Sequence, residues 1–223
     1  ETFIKDYIDS QDVEEIAFTW HGGEPTLLGV EFFRKVVELQ KRHTPAGRRI
    51  SNDLQTNGTL LDDEWGAFLA EHSFLVGLSI DGPRALHDAY RPDKRGRPSF
   101  DAVFAATQLL QRYGVPFSTL TTVNRKNARQ PLEVYRFLRE EVGSRYMQFI
   151  PCVEPKQFEH TAPGYLEPGQ LVDAQSPRTD PGHPLSVVTD WSVASQDWGG
   201  FLSEVFDEWV AHDRERVKSD HDQ

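Results

Sequence analysis

Apolar residues along this chain follow two alternating rhythms. Nearly continuous runs lie at 13–20, 74–80, 115–123 and 145–153, while at 50–56 Ile50, Asn52, Leu54 and Thr56 alternate with Ser51, Asp53 and Gln55. Runs of this length, bounded by Gly, Pro, Asn and Asp, predict strands. Between them the apolar spacing is helical. Phe32, Phe33, Val36 and Val37 predict a helix over 30–43 that stops at Pro45-Ala46-Gly47. Trp65, Phe68 and Leu69 follow an Asp62 cap, and Val103, Phe104, Thr107 and Leu110 follow a Ser99 cap and end at Gly114. Residues 2–9 read as a helix through Phe3, Ile4, Tyr7 and Ile8, and 130–141 as one with Pro131 in its first turn.

About five strands with a helix in each gap imply right-handed crossovers and a parallel sheet, hence an α/β fold, either doubly wound or part of a β/α barrel. Residues 1–153 make up that body. Residues 154–195 carry Pro155, Pro163, Pro168, Pro177, Pro181 and Pro184 and few apolar positions, and read as a covering or partly disordered connection. From 196 to 223 a last helix sets Trp198, Phe201, Leu202, Val205, Phe206 and Trp209 on one side, which needs a partner to bury it.

Composition narrows the partners. With 223 residues, 38% of them hydrophobic, the chain can bury one large core. A formal net charge of −11 argues against nucleic acid or an anionic membrane as the principal partner. No apolar run approaches the ~18 residues of a membrane span. The single cysteine, Cys152, excludes an intramolecular disulfide and fits a reducing, cytoplasmic compartment. The chain starts without Met and inside a helix, so a truncated polypeptide is expected.

In both candidate architectures ligands sit at the C-terminal ends of the strands. Those ends read His21-Gly22-Gly23-Glu24, Gln55-Thr56-Asn57-Gly58, Ser79-Ile80-Asp81-Gly82, Thr122-Val123-Asn124 and Gln148-Phe149-Ile150-Pro151. Any one of them is an ordinary turn. Together they offer glycine backbone, neutral amides, a hydroxyl and two carboxylates, which suit a ligand with an amino group and a ribose. A polyphosphate would call for a Gly-rich loop with Lys instead.

Gly22-Gly23-Glu24-Pro25 after a strand, then Leu54-Gln55-Thr56-Asn57-Gly58-Thr59, then Gly77-Leu78-Ser79-Ile80-Asp81-Gly82-Pro83 with His87-Asp88 and Arg91, and then Met147-Gln148-Phe149-Ile150-Pro151-Cys152 carry a family resemblance. In that order they resemble the radical S-adenosylmethionine superfamily, and within it the anaerobic sulfatase-maturating enzymes. The resemblance implies part of a partial (β/α)6 TIM-like barrel. It further implies a 4Fe-4S cluster that cleaves S-adenosylmethionine to a 5′-deoxyadenosyl radical, which oxidises a Cys or Ser of a sulfatase polypeptide to Cα-formylglycine. It assigns Gly22, Gly23 and Glu24 to the methionine amino group, Ser79 to the ribose, Arg91 to the methionine carboxylate and Val153 to the adenine. His21, Gln55, Asn57 and Gln148 would line the substrate side.

The departures shape the expectation equally. The family's Cys-x3-Cys-x2-Cys loop and its C-terminal cysteine-rich region are absent from these residues, and Cys152 cannot hold a cluster alone. The chain therefore reads as a middle section without catalytic residues or metal ligands of its own, inactive by itself. A sheet without its cluster-bearing edge would leave the strand at 13–20 open to pairing with a second copy. Three other readings remain: a related peptide-modifying radical enzyme, a non-catalytic S-adenosylmethionine or nucleoside module, and a barrel hydrolase using Glu24 and Asp81 as paired acids.

Overall fold

A computed structural model describes residues 1–156, 172–173 and 175–221, with side chains to 214. The expected connection at 154–195 therefore falls partly outside the described residues, as do positions 222 and 223 of the last helix.

Five strands form one sheet in the order β1-β2-β3-β4-β5: β1 (Glu15–Trp20), β2 (Arg49–Thr56), β3 (Leu75–Ser79), β4 (Phe117–Val123) and β5 (Met147–Pro151). The first four pair in parallel, with Trp20 beside Leu54, Thr56 beside Leu78 and Ser79 beside Leu120. Helices fill the gaps: α1 (Thr2–Ser10), α2 (Val30–His43), α3 (Asp63–Glu71), α4 (Arg84–Tyr90), α5 (Phe100–Arg112), α6 (Pro131–Arg136) and α7 (Ser195–His221). Each strand meets its neighbour in chain order, as parallel β/α repeats require.

The chain divides into two compact units. The first comprises Glu1–Ile80, His87–Leu120 and Val142–Gln148. Its core joins Val30, Phe33 and Val37 of α2, Leu54 of β2, Trp65, Phe68 and Leu69 of α3, Val76 of β3 and Leu110 of α5. A second cluster sets Ile4 and Ile8 of α1 against Ile16 and Phe18 of β1. Strand side chains alternate between faces. Ile16, Phe18, Asn52, Leu54, Thr56, Val76 and Leu78 therefore go under the helices, and Ala17, Thr19, Asp53, Gln55, Gly77 and Ser79 occupy the other face. Among the buried set, Asn52 and Gln40 exchange two amide hydrogen bonds at 2.8 and 3.0 Å, and the Trp20 indole donates to Asn52 at 2.9 Å. The buried amide on β2 is thereby satisfied, as a core position demands.

The second unit comprises Asp81–Leu86, Thr121–Glu141 and Phe149–Gln223. In it the chain past β5 runs beside residues 187–193. Lys156 N–H donates to Val187, Thr189 N–H to Glu154 and Val193 N–H to Cys152, each at 2.8 Å. Helix α7 packs through Phe201 against Phe149, and Glu208 pairs with Arg136 at 2.7 Å. Leu202, Phe206 and Trp209 stay exposed, so only the Phe201 and Val205 stripe of the expected apolar side is buried.

Two local expectations need correction, and one helix is added. Phe32 is 41% exposed, so the buried stripe of α2 is Val30, Phe33, Val36, Val37, Leu39 and Gln40. The helix expected over 130–141 gives way after Arg136 to a π-helical turn at Phe137–Glu141. Helix α4 was not expected, because seven residues are too few to establish a 3.6-residue period.

Candidate functional site

The turn after β1 holds Gly22 at φ 100° and Gly23 at φ 55°, a conformation that disfavours any residue with a Cβ. A Cβ at either position would meet nothing within 4 Å, so both glycines are required by conformation and leave open space above the turn. Glu24 then caps a short 3-10 turn, Pro25–Leu28, with Pro25 in its first position.

The Glu24 carboxylate ties two strand ends together. Oε1 accepts the Thr26 N–H at 3.1 Å, the Thr26 hydroxyl at 2.6 Å and the Thr56 hydroxyl at 2.7 Å, and Oε2 accepts the Asn57 N–H at 2.8 Å. A carboxylate offers about four lone-pair sites, so Oε2 retains capacity for a further donor while Oε1 is committed to the scaffold. Thr56 in turn accepts the Gly58 N–H at 3.0 Å and fixes the next loop. Asn57 Oδ1 accepts both the N–H and the hydroxyl of Thr59, at 2.9 and 2.7 Å, so the oxygen of this amide serves its own loop.

One strand over, the Gln55 side chain lies across β3 and donates from Nε2 to Ser79 Oγ at 3.2 Å. It passes over Gly77, where a Cβ would sit 2.0 Å from Gln55 Oε1 and 2.9 Å from Cδ. Glycine at 77 is therefore a condition for the Gln55–Ser79 bond. An isolated glycine inside a strand signals such a close approach, and Gly77 could have been read that way.

Of the other expected site residues in the first unit, His21 and Gln148 are exposed and Arg91 is half-buried just past α4. The geometry thus brings together Gly22, Gly23 and Glu24 with Asn57, and Gln55 with Ser79. Val153 lies in the second unit, past β5, with 61% exposure. Thr26, Thr56 and Gly77 are the contributors that sequence reading passed over. Asp81, also in the second unit, is 2% exposed, accepts the Thr122 N–H at 2.8 Å through Oδ1, and its carbonyl accepts from Asn127 at 3.1 Å. Both acids of the hydrolase reading already accept backbone or hydroxyl donors, Glu24 keeping capacity only at Oε2, so neither environment lends that reading support.

Cys152 is half-buried in the second unit. Burial pushes its thiol above the ordinary range, and the nearby charges of Glu154 and Asp81 add to that. Among the described residues no group of three or more His, Cys, Asp or Glu is arranged to hold a metal ion, and none of the helices is long and apolar enough to cross a membrane.

Comparison with known proteins gives this geometry a lineage. The chain is 42% identical over 213 residues to a serine-type anaerobic sulfatase-maturating enzyme of Bacteroides thetaiotaomicron, covering 96% of this chain and 48% of that protein. It is 37% identical over 193 residues to a cysteine-type anaerobic sulfatase-maturating enzyme of Clostridium perfringens, covering 86% of this chain and 45% of that protein. A solved structure of native anSMEcpe with bound AdoMet and the Cp18Cys peptide matches with a TM-score of 0.75 at 35% identity, over 93% of this chain and 50% of that one. The chain spans about half the length of the curated relatives it matches. The model of the Radical SAM superfamily matches residues 3–138, more than half of the chain, and the five parallel strands are those of its β/α barrel: this chain belongs to the radical SAM superfamily.

Proposed function

We propose that this chain is the S-adenosylmethionine-recognising section of an anaerobic sulfatase-maturating enzyme, whose substrate is a sulfatase polypeptide and whose compartment is the cytoplasm. The observation that carries the reading is the turn after β1. Gly22 and Gly23 leave its backbone open, and Glu24 keeps one carboxylate oxygen with spare capacity. An ammonium group seeks carbonyl and carboxylate oxygens, so the methionine amino end fits there. Ser79, steadied by Gln55, offers a hydroxyl to the ribose, and Arg91 a guanidinium to the methionine carboxylate. His21, Gln148 and the nitrogen side of Asn57 would meet the sulfatase segment.

In the whole enzyme S-adenosylmethionine, reduced by one electron and cleaved, would supply the radical that takes a hydrogen from the Cys or Ser that becomes Cα-formylglycine. The residues here orient the ligand and exclude water around it. They do not fit an iron–sulfur cluster, since one cysteine cannot provide three thiolates. No step through a cluster is assigned to this chain, and we expect binding without turnover from it alone.

Calorimetric titration of the chain with S-adenosylmethionine and with ATP tests the proposal. Saturable binding of the first and none of the second is expected, because the site lacks a phosphate cradle. Preference for ATP would reject the assignment.

A further inference from the structure

The sequence motif His87-Asp88 with Arg91 contains two residues to which no role has yet been given. Helix α4 ends at Tyr90, and Arg91 is followed by Pro92, which disfavours helical backbone at Arg91 and offers no N–H of its own. The Arg91 carbonyl is thus one of the orphaned acceptors of a helix C-terminus. Ser99 reaches back across the loop and donates its hydroxyl to that carbonyl at 2.5 Å. A serine hydroxyl has one proton, and a carbonyl can only accept. The 3.0 Å contact between Ser99 Oγ and His87 Nε2 must then be donated by the imidazole. His87 is fully buried, with its ring edge-on to Phe100 at 5.9 Å. The relay runs from His87 Nε2–H to Ser99 Oγ and from Ser99 Oγ–H to the carbonyl of Arg91.

Asp88 closes the same junction from the other side. Its Oδ1 accepts the N–H groups of Ser99 and Phe100 at 3.0 and 2.9 Å. Ser99 itself makes no side-chain cap to α5, contrary to the expectation from sequence. The carboxylate has taken that duty and left the hydroxyl for Arg91. The loop between is closed by Asp93, which accepts the N–H groups of Arg95 and Arg97 at 2.8 and 2.9 Å.

We propose that His87 and Ser99 are positioning residues for Arg91: the relay fixes the backbone from which Arg91 addresses the carboxylate of the ligand. The proposal rests on the reading of Arg91 as the carboxylate holder, and the experiment separates the two. S-Adenosylmethionine and 5′-methylthioadenosine, which lacks the amino acid portion, are titrated by NMR into the chain and its Arg91→Ala, Ser99→Ala and Ser99→Thr variants.

Arg91→Ala and Ser99→Ala are expected to weaken S-adenosylmethionine about 5- to 10-fold, the scale of one oriented hydrogen bond, and to leave 5′-methylthioadenosine unchanged. Ser99→Thr, which keeps the hydroxyl, is expected to restore affinity. If Arg91→Ala weakens S-adenosylmethionine and Ser99→Ala does not, the relay is overturned and the Arg91 reading stands. If Arg91→Ala has no effect, the Arg91 reading falls and the relay's role falls with it. Equal losses for both ligands without rescue by Ser99→Thr would mean a merely structural junction and would also overturn the proposal. A measurement on the unmodified chain needs no variant to fold: its imidazole nitrogen resonances must show His87 protonated at Nε2, and a bare Nε2 refutes the relay.

Discussion

Glu24 is the point at which scaffold and ligand compete for one side chain, and its replacement separates the two. Alanine at 24 removes acceptors from four donors. Thr26 and Thr56 are 3% and 2% exposed, so water reaches neither, whereas Asn57 is half-buried and its N–H can turn to water. The Thr26 N–H and hydroxyl and the Thr56 hydroxyl therefore lose a partner that water replaces poorly. Hydrogen bonds to charged groups contribute about 1.5–3 kcal/mol each when buried, so with three poorly replaced bonds at the low end the loss is about 3–5 kcal/mol. Glutamine keeps the oxygen facing Thr26 and Thr56 and presents an NH₂ to the Asn57 N–H, which limits the loss to about 1–2 kcal/mol. Urea unfolding checks both: the midpoint should fall in the order parent, Glu24→Gln, Glu24→Ala, with the slope unchanged. An alanine variant within about 0.5 kcal/mol of the parent would show that the carboxylate does not tie β1 to β2.

Gly77→Ala should leave stability within about 1 kcal/mol of the parent, because the displaced atoms end a flexible side chain and alanine lowers unfolded-state entropy. It should nevertheless abolish the Gln55–Ser79 contact and weaken S-adenosylmethionine; unchanged affinity would mean that the contact does not prepare Ser79. Cys152, with its thiol raised by burial and by Glu154 and Asp81, should react with iodoacetamide at pH 8 several-fold more slowly than an unstructured cysteine peptide, since the thiolate is the reacting form. A rate equal to the peptide's would contradict that environment. Among the described residues β1 is the outer strand, with the Tyr7 hydroxyl on the Ala17 carbonyl at 3.1 Å, and we propose that in this chain alone that edge supports reversible self-association, read by sedimentation equilibrium. A monomer at every concentration would dismiss it.

The alternation of strands and helices was legible because periods of about 2 and 3.6 residues are properties of local sequence. Helix α4 was not, since Pro83 and Pro92 enclose too short a stretch to reveal a period. The Asp62 cap was local and is found as read, accepting the Trp65 N–H at 3.0 Å. Ser99 shows the limit of the same rule: a carboxylate at Asp88, 11 residues away, is the stronger acceptor and takes the cap. The site followed the same division. Its turn residues were visible in Gly22, Gly23 and Glu24, whereas the partners of Glu24 at Thr56 and Asn57 are 32 and 33 residues distant and become neighbours only through the β1–β2 register.

We propose an S-adenosylmethionine site at the turn after β1 and the end of β3. Backbone resonances followed during titration with that ligand test it most directly. The largest shifts are expected on Gly22, Gly23, Glu24, Asn57 and Ser79. Saturable binding whose shifts avoid these residues, or no binding at millimolar ligand, would contradict it.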